Sequence, residues 1–476
     1  MSILTNQCTL TAQFDSKERY YPPRCAESTR EIILKKLTNW VQSPAPPSRN
    51  DRNPNSTSAH PPTHIPKGLL SSFFWLYGAA GVGKSAVAQS LSEQLKKTGD
   101  LGASFFFFSI EASRNNGDKL FPTIIHQLTR VNTAYEREVI HQLRRNQDIF
   151  SRSREQQMQV LFTEPLMSLH AKGEDASKFP RLIVIDGLDE CKDTESQCDI
   201  LSIIAQTILA GPLPYPFRFL VTSRPEGHIT NTFKFNRYIR QIPVQKYDLS
   251  KDSDASKDIR TFFQQELEKL CNNHPLGPTL KQKGWPYKYL VVLIECSSGH
   301  FVYPATVMRY IESSKHRPDD RLEIVLGLTP GGPKDLPFFQ LDMLYALILS
   351  DIDDADIMRV KRGFSILYLI SEKIGYFSVY HCSSSRIIQN TLALRPGDLD
   401  LLFNPLWSLV AQEDFHVYHK TLFYFFLDQK RSLHFGFSKE LCHESAALYM
   451  HRTGILTTWS CESSFLILFP FLSDFS

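Results

Sequence analysis

The stretch LYGAAGVGKSAVAQS, Leu76 to Ser90, decides how the rest of the sequence is interpreted. It contains a glycine, four further residues and Gly-Lys-Ser, directly after the apolar run FFWLY at 73–77. Glycines let the backbone curl around phosphate oxygens at positions where a Cβ would clash. A strand, this loop and a helix in succession are the context of a phosphate-binding P-loop. That context favours a P-loop over a chance glycine turn.

The predicted phosphate-binding residues are Gly78, Ala79, Ala80, Gly81, Val82, Gly83, Lys84, Ser85 and Ala86. Lys84 would reach the β- and γ-phosphates, and the Ser85 hydroxyl would bind Mg²⁺. A helix beginning at about Lys84 adds the positive end of its dipole. We therefore expect ATP or ADP with Mg²⁺ as ligands. GTP is less favoured because the sequence contains no Asn-Lys-x-Asp segment that would read its base.

The second motif is RLIVIDGLDEC, Arg181 to Cys191. Its apolar residues predict a buried strand that ends at Asp186, and ligands of open α/β sheets bind at that edge. Asp186 is therefore a candidate Mg²⁺ ligand together with Ser85. We favour Glu190 as the catalytic base that deprotonates an attacking water, with Asp189 as the alternative. An acidic solvated turn is the competing interpretation, and the nearby P-loop disfavours it.

The third motif is FRFLVTSRPEGHI, in which another predicted strand ends at Thr222-Ser223-Arg224. An arginine at that edge can neutralise the γ-phosphate, which makes Arg224 a candidate catalytic residue. The alternative is a turn whose arginine faces solvent.

Apolar strands that alternate with helices predict an α/β P-loop NTPase with a parallel five-stranded sheet. The predicted strands are 73–77, 103–108, 181–186, 217–223 and 238–244, and the main helices are 84–97, 119–170 and 196–209. A further helix precedes the core in ESTREIILKKLTNWVQ, where Ser28 and Glu31 fit a capping box. We expect an N-terminal segment over 1–42, a Pro/Ser/Asn-rich linker over 43–66, the NTPase domain over 67–250, a helical domain over 251–338, a winged-helix-like α+β domain over 339–450 and a tail over 451–476.

Composition limits the functional classes. Of the 476 residues 42% are hydrophobic and 22% charged, and the net charge is +3, so no strong field predicts a nucleic-acid or membrane partner. The basic residues Arg144, Arg145, Arg152 and Arg154 are interleaved with Gln and Glu and are interpreted as a solvated helix face. Nine cysteines and no signal peptide favour a reducing, cytoplasmic location.

The three motifs, in this order, resemble the NACHT family of signal-transducing STAND ATPases, particularly its fungal, nephrocystin-like form. GAAGVGKSA, IDGLDEC and VTSRPE resemble the family's Walker A, extended Walker B and sensor 1 motifs. Flanking stretches are also similar, and the resemblance covers about 14–450; these stretches are 14–41, 118–128, 299–314, 341–349 and 416–432.

The resemblance implies a nucleotide-dependent switch, as in innate-immunity proteins of this type. ADP would hold the helical and winged-helix domains against the P-loop domain, and ATP would open the molecule and permit homo-oligomer assembly with protein partners. His419 would contact the β-phosphate of ADP; a histidine packed beside Tyr418 and Phe423 is equally favoured. The family's usual effector domain and C-terminal repeats are not recognised, which leaves open whether the chain is a truncated form.

Three functions therefore remain. The favoured one is an ATP/ADP switch with slow hydrolysis. A nucleotide-bound interaction scaffold without significant turnover comes second. A P-loop kinase or motor ATPase is least favoured, because the sequence shows neither an arginine-rich lid nor a second-substrate pocket.

Overall fold

The computed structural model describes residues 1–19, 22–43, 71–109, 111–175, 179–209, 217–312, 317–326, 338–373, 384–407, 409–410, 415, 417 and 421–453. Nearly all of the predicted linker and tail, and His419, lie outside these residues. The chain divides into two compact units. The first consists of Met1–Gly78 and Gly83–Asp252, and the second of Ala79–Val82 and Ser253–Ser476.

The centre of the first unit is a parallel sheet with the strand order β2-β3-β4-β1-β5. The strands are β1 Phe73–Tyr77, β2 Leu101–Phe106, β3 Leu182–Asp186, β4 Arg218–Ser223 and β5 Val244–Asp248. Strands β1 to β4 are almost entirely buried, as expected where helices cover both faces of a parallel sheet. The predicted α/β class with five parallel strands is confirmed.

The predicted position of the fifth strand is wrong. Residues 238–244 were expected to be extended, but Ile239–Gln241 form a 3₁₀ turn and the strand begins only at Val244. Ile239 is buried in the hydrophobic core from that turn, so its apolar character does not reflect a strand. Among the described strands, this strand, VQKYD, pairs only with β1, and it is only partly buried. An edge strand of this kind has a weak hydrophobic pattern.

The helices of the first unit cover the sheet and carry its connections. They are α1 Ser2–Gln7, α2 Glu31–Gln42, α3 Lys84–Thr98, α4 Leu120–Val131, α5 Thr133–Arg145, α6 Arg154–Met158, α7 Glu164–Ala171, α8 Thr194–Leu209 and α9 Gly227–Phe235. The predicted helical region 119–170 is thus divided among several helices. Asn132 separates α4 from α5, and its side chain accepts a hydrogen bond from the Tyr135 N–H.

Helix α2 begins later than predicted, and the capping box is wrong. Arg30 is the N-cap residue, in the left-handed conformation with φ 56°, and its side chain does not cap the helix. The Arg30 guanidinium instead contacts the Asp252 carboxylate at 2.5 Å, and both side chains are buried. This ion pair joins residues that are far apart in the chain.

A second buried arginine, Arg218 at the start of β4, lies between the ends of two separate segments. Its Nη2 donates to the Ser43 carbonyl at 2.9 Å and its Nη1 to the Ser71 carbonyl at 3.1 Å. The Trp40 indole also donates to the Ser71 carbonyl, at 2.6 Å. The Arg218 guanidinium therefore binds both the residue that follows α2 and a residue just before β1.

The second unit is mainly helical among its described residues. Its helices are α10 Ala255–Asn273, α11 Gly277–Gln282, α12 Leu290–Ser297, α13 Val302–Ile311, α14 Pro318–Val325, α15 Phe339–Leu349, α16 Ile357–Lys373, α17 Ser384–Leu392, α18 Asp398–Phe403, α19 Thr421–Leu427, α20 Gln429–Ser432 and α21 Lys439–Thr453. An isolated antiparallel bridge joins Val410 and Val417. The winged-helix-like domain stays a prediction, because YFSVYH at 376–381 lies outside the described residues.

Among the helices that the structure describes, none is long and apolar enough to span a membrane.

Candidate functional site

The loop between β1 and α3 has the backbone that the glycine pattern predicted. Gly81 has φ 78° and Gly83 has φ 98°, values that L-residues with side chains rarely adopt. Gly83 is the N-cap of α3 and has no side chain to cap it. The first N–H groups of α3 are therefore not satisfied by an N-cap side chain and suit an anionic ligand.

Lys84, the first residue of α3, lies back across this loop. Its Nζ donates to the Gly78 carbonyl at 2.7 Å. Burial lowers the pKa of Lys84 to about 8, although the nearby Asp189 carboxylate acts in the opposite direction. Asp186 and Glu190 act on Lys84 in the same direction as Asp189. The loop and the predicted acids are therefore close together.

Asp186 ends β3 and is only 3% exposed. Its carboxylate accepts hydrogen bonds from the Ser85 hydroxyl and, at 2.6 Å, from the Thr222 hydroxyl at the end of β4. Thr222 Oγ1 also accepts from the Gly187 N–H at 3.0 Å, which fixes the carboxylate against the following turn. Burial raises the pKa of Asp186, and these two hydroxyl groups oppose the effect.

Asp189 and Arg224 are joined by two contacts, one to the Arg224 side chain and one to its backbone. The Arg224 Nε contacts Asp189 Oδ2 at 3.1 Å, and the Arg224 backbone N–H donates to Oδ1 at 3.0 Å. The side chains are 4% and 17% exposed, respectively. Both oxygens of Asp189 are thus engaged, whereas Arg224 keeps guanidinium donors beyond Nε. In this arrangement Asp189 holds Arg224, and the solvent-facing alternative for Arg224 is wrong.

Glu190 is held differently from Asp189. Its Oε2 accepts one hydrogen bond, 3.1 Å long, from the Ser109 N–H after β2. Burial, reinforced by the neighbouring Asp189 carboxylate, raises the pKa of Glu190 to about 7. A carboxylate with a pKa near neutrality suits a general base. The geometry therefore favours Glu190 over Asp189 for that role.

A layer of side chains behind the acidic turn was not recognised in the sequence. The Gln197 amide donates to the Cys191 carbonyl at 2.8 Å and to the Asp189 carbonyl at 3.3 Å. A ring nitrogen of His228 lies 2.6 Å from the Gln197 Oε1. These contacts join helices α8 and α9 to the turn. No local pattern identifies them, because they depend on tertiary packing.

The structure brings together most of the predicted site residues at one edge of the sheet. Lys84, Ser85, Asp186, Glu190 and the Asp189–Arg224 pair meet where β1, β3 and β4 end. His419 lies outside the described residues, so its role stays a prediction. The Ser85 hydroxyl and the Asp186 carboxylate are the oxygen ligands that Mg²⁺ prefers, so this donor set fits the predicted ion.

The model of the family described as Nephrocystin 3, N-terminal, matches residues 67–224. The predicted resemblance to this NACHT-like family is confirmed over that segment. The nephrocystin-like segment contains the P-loop and the acidic turn, and Arg224 is its last residue. No curated protein matches the chain.

One solved structure with a similar fold is the ORC2 protein of Aeropyrum pernix in its ADPNP–ADP complexes. The two sequences are 11% identical, and the alignment covers 93% of this chain and 98% of that one with a TM-score of 0.40.

Proposed function

We propose that the chain binds ATP and ADP with Mg²⁺ and acts as a nucleotide-dependent conformational switch that hydrolyses ATP slowly. The observation that carries the nucleotide site is the contact between Ser85, at the start of α3, and Asp186, at the end of β3. This contact brings the hydroxyl group that follows the glycine loop next to a buried carboxylate. A cation bound to nucleotide phosphates requires such a pair of ligands. The switch itself is supported only by the resemblance to NACHT proteins.

Each residue has a distinct role in this proposal. The loop N–H groups and Lys84 bind the β- and γ-phosphates, and Ser85 and Asp186 hold Mg²⁺. A bound Mg²⁺ would neutralise charge on the phosphate oxygens. Glu190 takes the proton of a water that attacks the γ-phosphorus, and the bond to the β-phosphate oxygen breaks with its electron pair left on ADP. Arg224, oriented by Asp189, stabilises the charge on the transferred group.

Slow turnover is consistent with how the catalytic groups are held. Glu190, with a pKa of about 7, is ionised in only part of the molecules at neutral pH. This partial ionisation reduces the fraction of protein that is ready to react.

The nucleotide content of freshly purified protein tests this proposal. The protein is denatured, and the released nucleotides are separated and counted per chain. We expect close to one ADP per chain, as in a switch that retains its product. Protein that neither retains nor binds added ATP or ADP would contradict the proposal.

The second candidate is a nucleotide-bound scaffold without turnover. It predicts that bound ATP remains intact over hours and that replacing Glu190 changes nothing. Single-turnover hydrolysis of labelled ATP separates the two functions, because a switch converts its bound ATP to ADP once per chain.

A further inference from the structure

Arg19 lies beside the candidate site but belongs to none of its motifs. It ends a short 3₁₀ turn, Lys17–Arg19, and is only 8% exposed. Two contacts hold the chain just before it: the Phe14 N–H donates to Ser104 Oγ of β2 at 3.0 Å, and the Gln89 amide of α3 donates to the Phe14 carbonyl at 3.0 Å. The position of this turn against the sheet is therefore well defined.

The Arg19 side chain reaches the edge of the sheet at which Asp186 lies. Its guanidinium carbon is 3.5 Å from the centre of the Phe106 ring, at the end of β2. Phe106 and Asp186 are register partners in neighbouring parallel strands, so their side chains project from the same face of the sheet. Arg19 is thus stacked one strand away from the predicted metal ligand.

The stacked guanidinium retains hydrogen-bonding capacity. A guanidinium that stacks on an aromatic ring uses its face, and its N–H groups point outward in its own plane. Nη1 of Arg19 is buried and has no hydrogen-bond acceptor among the residues that the structure describes. An unsatisfied buried donor on a charged group is costly, so its retention indicates a ligand that completes it.

The charges around Arg19 indicate what that ligand is. The groups that act on it are Asp186, Glu93, Arg114 and Arg24. Arg24 is already paired with Glu93 at 2.7 Å, and Arg114 lies 3.5 Å from Glu111. Asp186 is left as the acid facing Arg19. If Asp186 binds Mg²⁺, Arg19 requires a different anion close to that ion.

We propose that Arg19 is a further nucleotide-binding residue, which donates its inner N–H to the terminal phosphate of a bound nucleoside triphosphate beside the metal position. The proposal rests on the proposed function. It assigns to the segment before the P-loop domain a direct part in distinguishing a triphosphate from a diphosphate, because a diphosphate has no group at that position.

The test compares Arg19→Gln and Arg19→Lys with the matched control Arg24→Gln, which removes the same charge from the same segment at a half-exposed position. Dissociation constants are measured by calorimetry for ADP and for a non-hydrolysable ATP analogue, both with Mg²⁺. We expect Arg19→Gln to weaken binding of the triphosphate analogue by about 10- to 100-fold, as for a lost hydrogen bond to a charged group. Binding of ADP should change by less than about threefold in this variant. Arg24→Gln should leave both constants unchanged.

The ratio of the two constants within one variant does not depend on how much of the protein is active. Arg19→Lys keeps the charge but loses the planar arrangement of N–H donors, so its ratio should lie between those of the parent and Arg19→Gln. If Arg19→Gln does not fold, the ratio in Arg19→Lys tests the proposal by itself. An unchanged ratio in the Arg19 variants would mean that Arg19 only anchors its segment, and would overturn this inference alone. Parent protein that binds neither nucleotide would overturn the proposed function together with it.

Discussion

Two charged clusters of the first unit are built in opposite ways. In the acidic loop, residues 186–190, the Asp186 and Asp189 side chains are nearly inaccessible to solvent and burial raises the pKa of Glu190 to about 7. In the Arg154 cluster, Arg154 contacts Asp118 at 2.8 Å, Asp199 at 3.1 Å and Ser196 at 2.5 Å. The two carboxylates of that cluster are 66% and 45% exposed.

The difference separates a solvated cluster from a buried one. Hydrated acids remain ionised at little cost, and pairing them with an arginine contributes little to stability. A buried acid that lies beside another acid has a raised pKa, as Glu190 does beside Asp189. The Arg154 cluster also lines a polar cavity of about 480 Å³, so a cavity by itself does not identify the functional site.

The largest effect is expected from Lys84→Ala. Removal of the ammonium group should weaken binding of ATP and ADP by at least about 100-fold, because the lysine neutralises phosphate charge in a partly buried loop. Calorimetric titration measures the loss, and circular dichroism checks that the sheet is intact, since the Lys84 ammonium group donates to the loop carbonyl of Gly78 and not to a strand. Tight binding by a folded Lys84→Ala variant would contradict the site.

The next largest effect is expected from Glu190→Gln, which distinguishes the role of Glu190 from that of Asp189. Glu190→Gln should lower single-turnover hydrolysis by about 100-fold or more while ATP binding persists, because an amide cannot accept the proton of water. Asp189→Asn is the matched comparison and should mainly disturb Arg224, which Asp189 holds at 3.1 Å. Hydrolysis by Glu190→Gln at the parent rate would remove Glu190 from the mechanism and make Asp189 the next candidate.

The pH dependence of hydrolysis gives a third comparison. The base is active only when it is ionised, so kcat/KM should rise as the pH increases through about 7, the pKa of Glu190, until deprotonation of Lys84, with a pKa of about 8, lowers it again. Steady-state rates would be measured between about pH 5.5 and 7.5, where Lys84 stays mainly protonated. A rate that is flat across this range, or that falls, would exclude Glu190 as the base.

The smallest effect is expected in the Arg154 cluster. Arg154→Gln should leave both nucleotide affinities unchanged and lower the free energy of unfolding by only about 1 kcal/mol, because the partners are largely solvated. Urea denaturation and calorimetry measure the two quantities. If Arg154→Gln weakened nucleotide binding as Lys84→Ala does, the contrast between the two clusters would be lost.

The sequence predicts best where one local pattern determines the structure. The P-loop, β1 and β3 follow from glycine spacing and uninterrupted apolar runs, and Asp186, Asp189 and Glu190 follow from their position after β3. The fifth strand and the start of α2 were wrong because an edge strand has little hydrophobic signal and because the Arg30–Asp252 pair connects residues far apart in the chain.

The supporting residues of the site were harder to predict than its motifs. Thr222 orients Asp186 from the neighbouring strand, and Gln197 supports the turn from a helix, so neither contact has a sequence spacing that could reveal it. Arg154 was interpreted as part of a solvated helix face, whereas its side chain is 18% exposed and fully engaged. Contacts between side chains that are far apart in the sequence can be predicted only when the strand order is known.

The position of Arg218 has a consequence for how the length of this chain can change. Because one side chain binds the carbonyl groups of both Ser43 and Ser71, these two residues are fixed relative to each other. The entropic cost of closing a segment between fixed ends grows only with the logarithm of its length. A change in the number of residues between Ser43 and Ser71 should therefore cost little stability, because Arg218 keeps both ends in place.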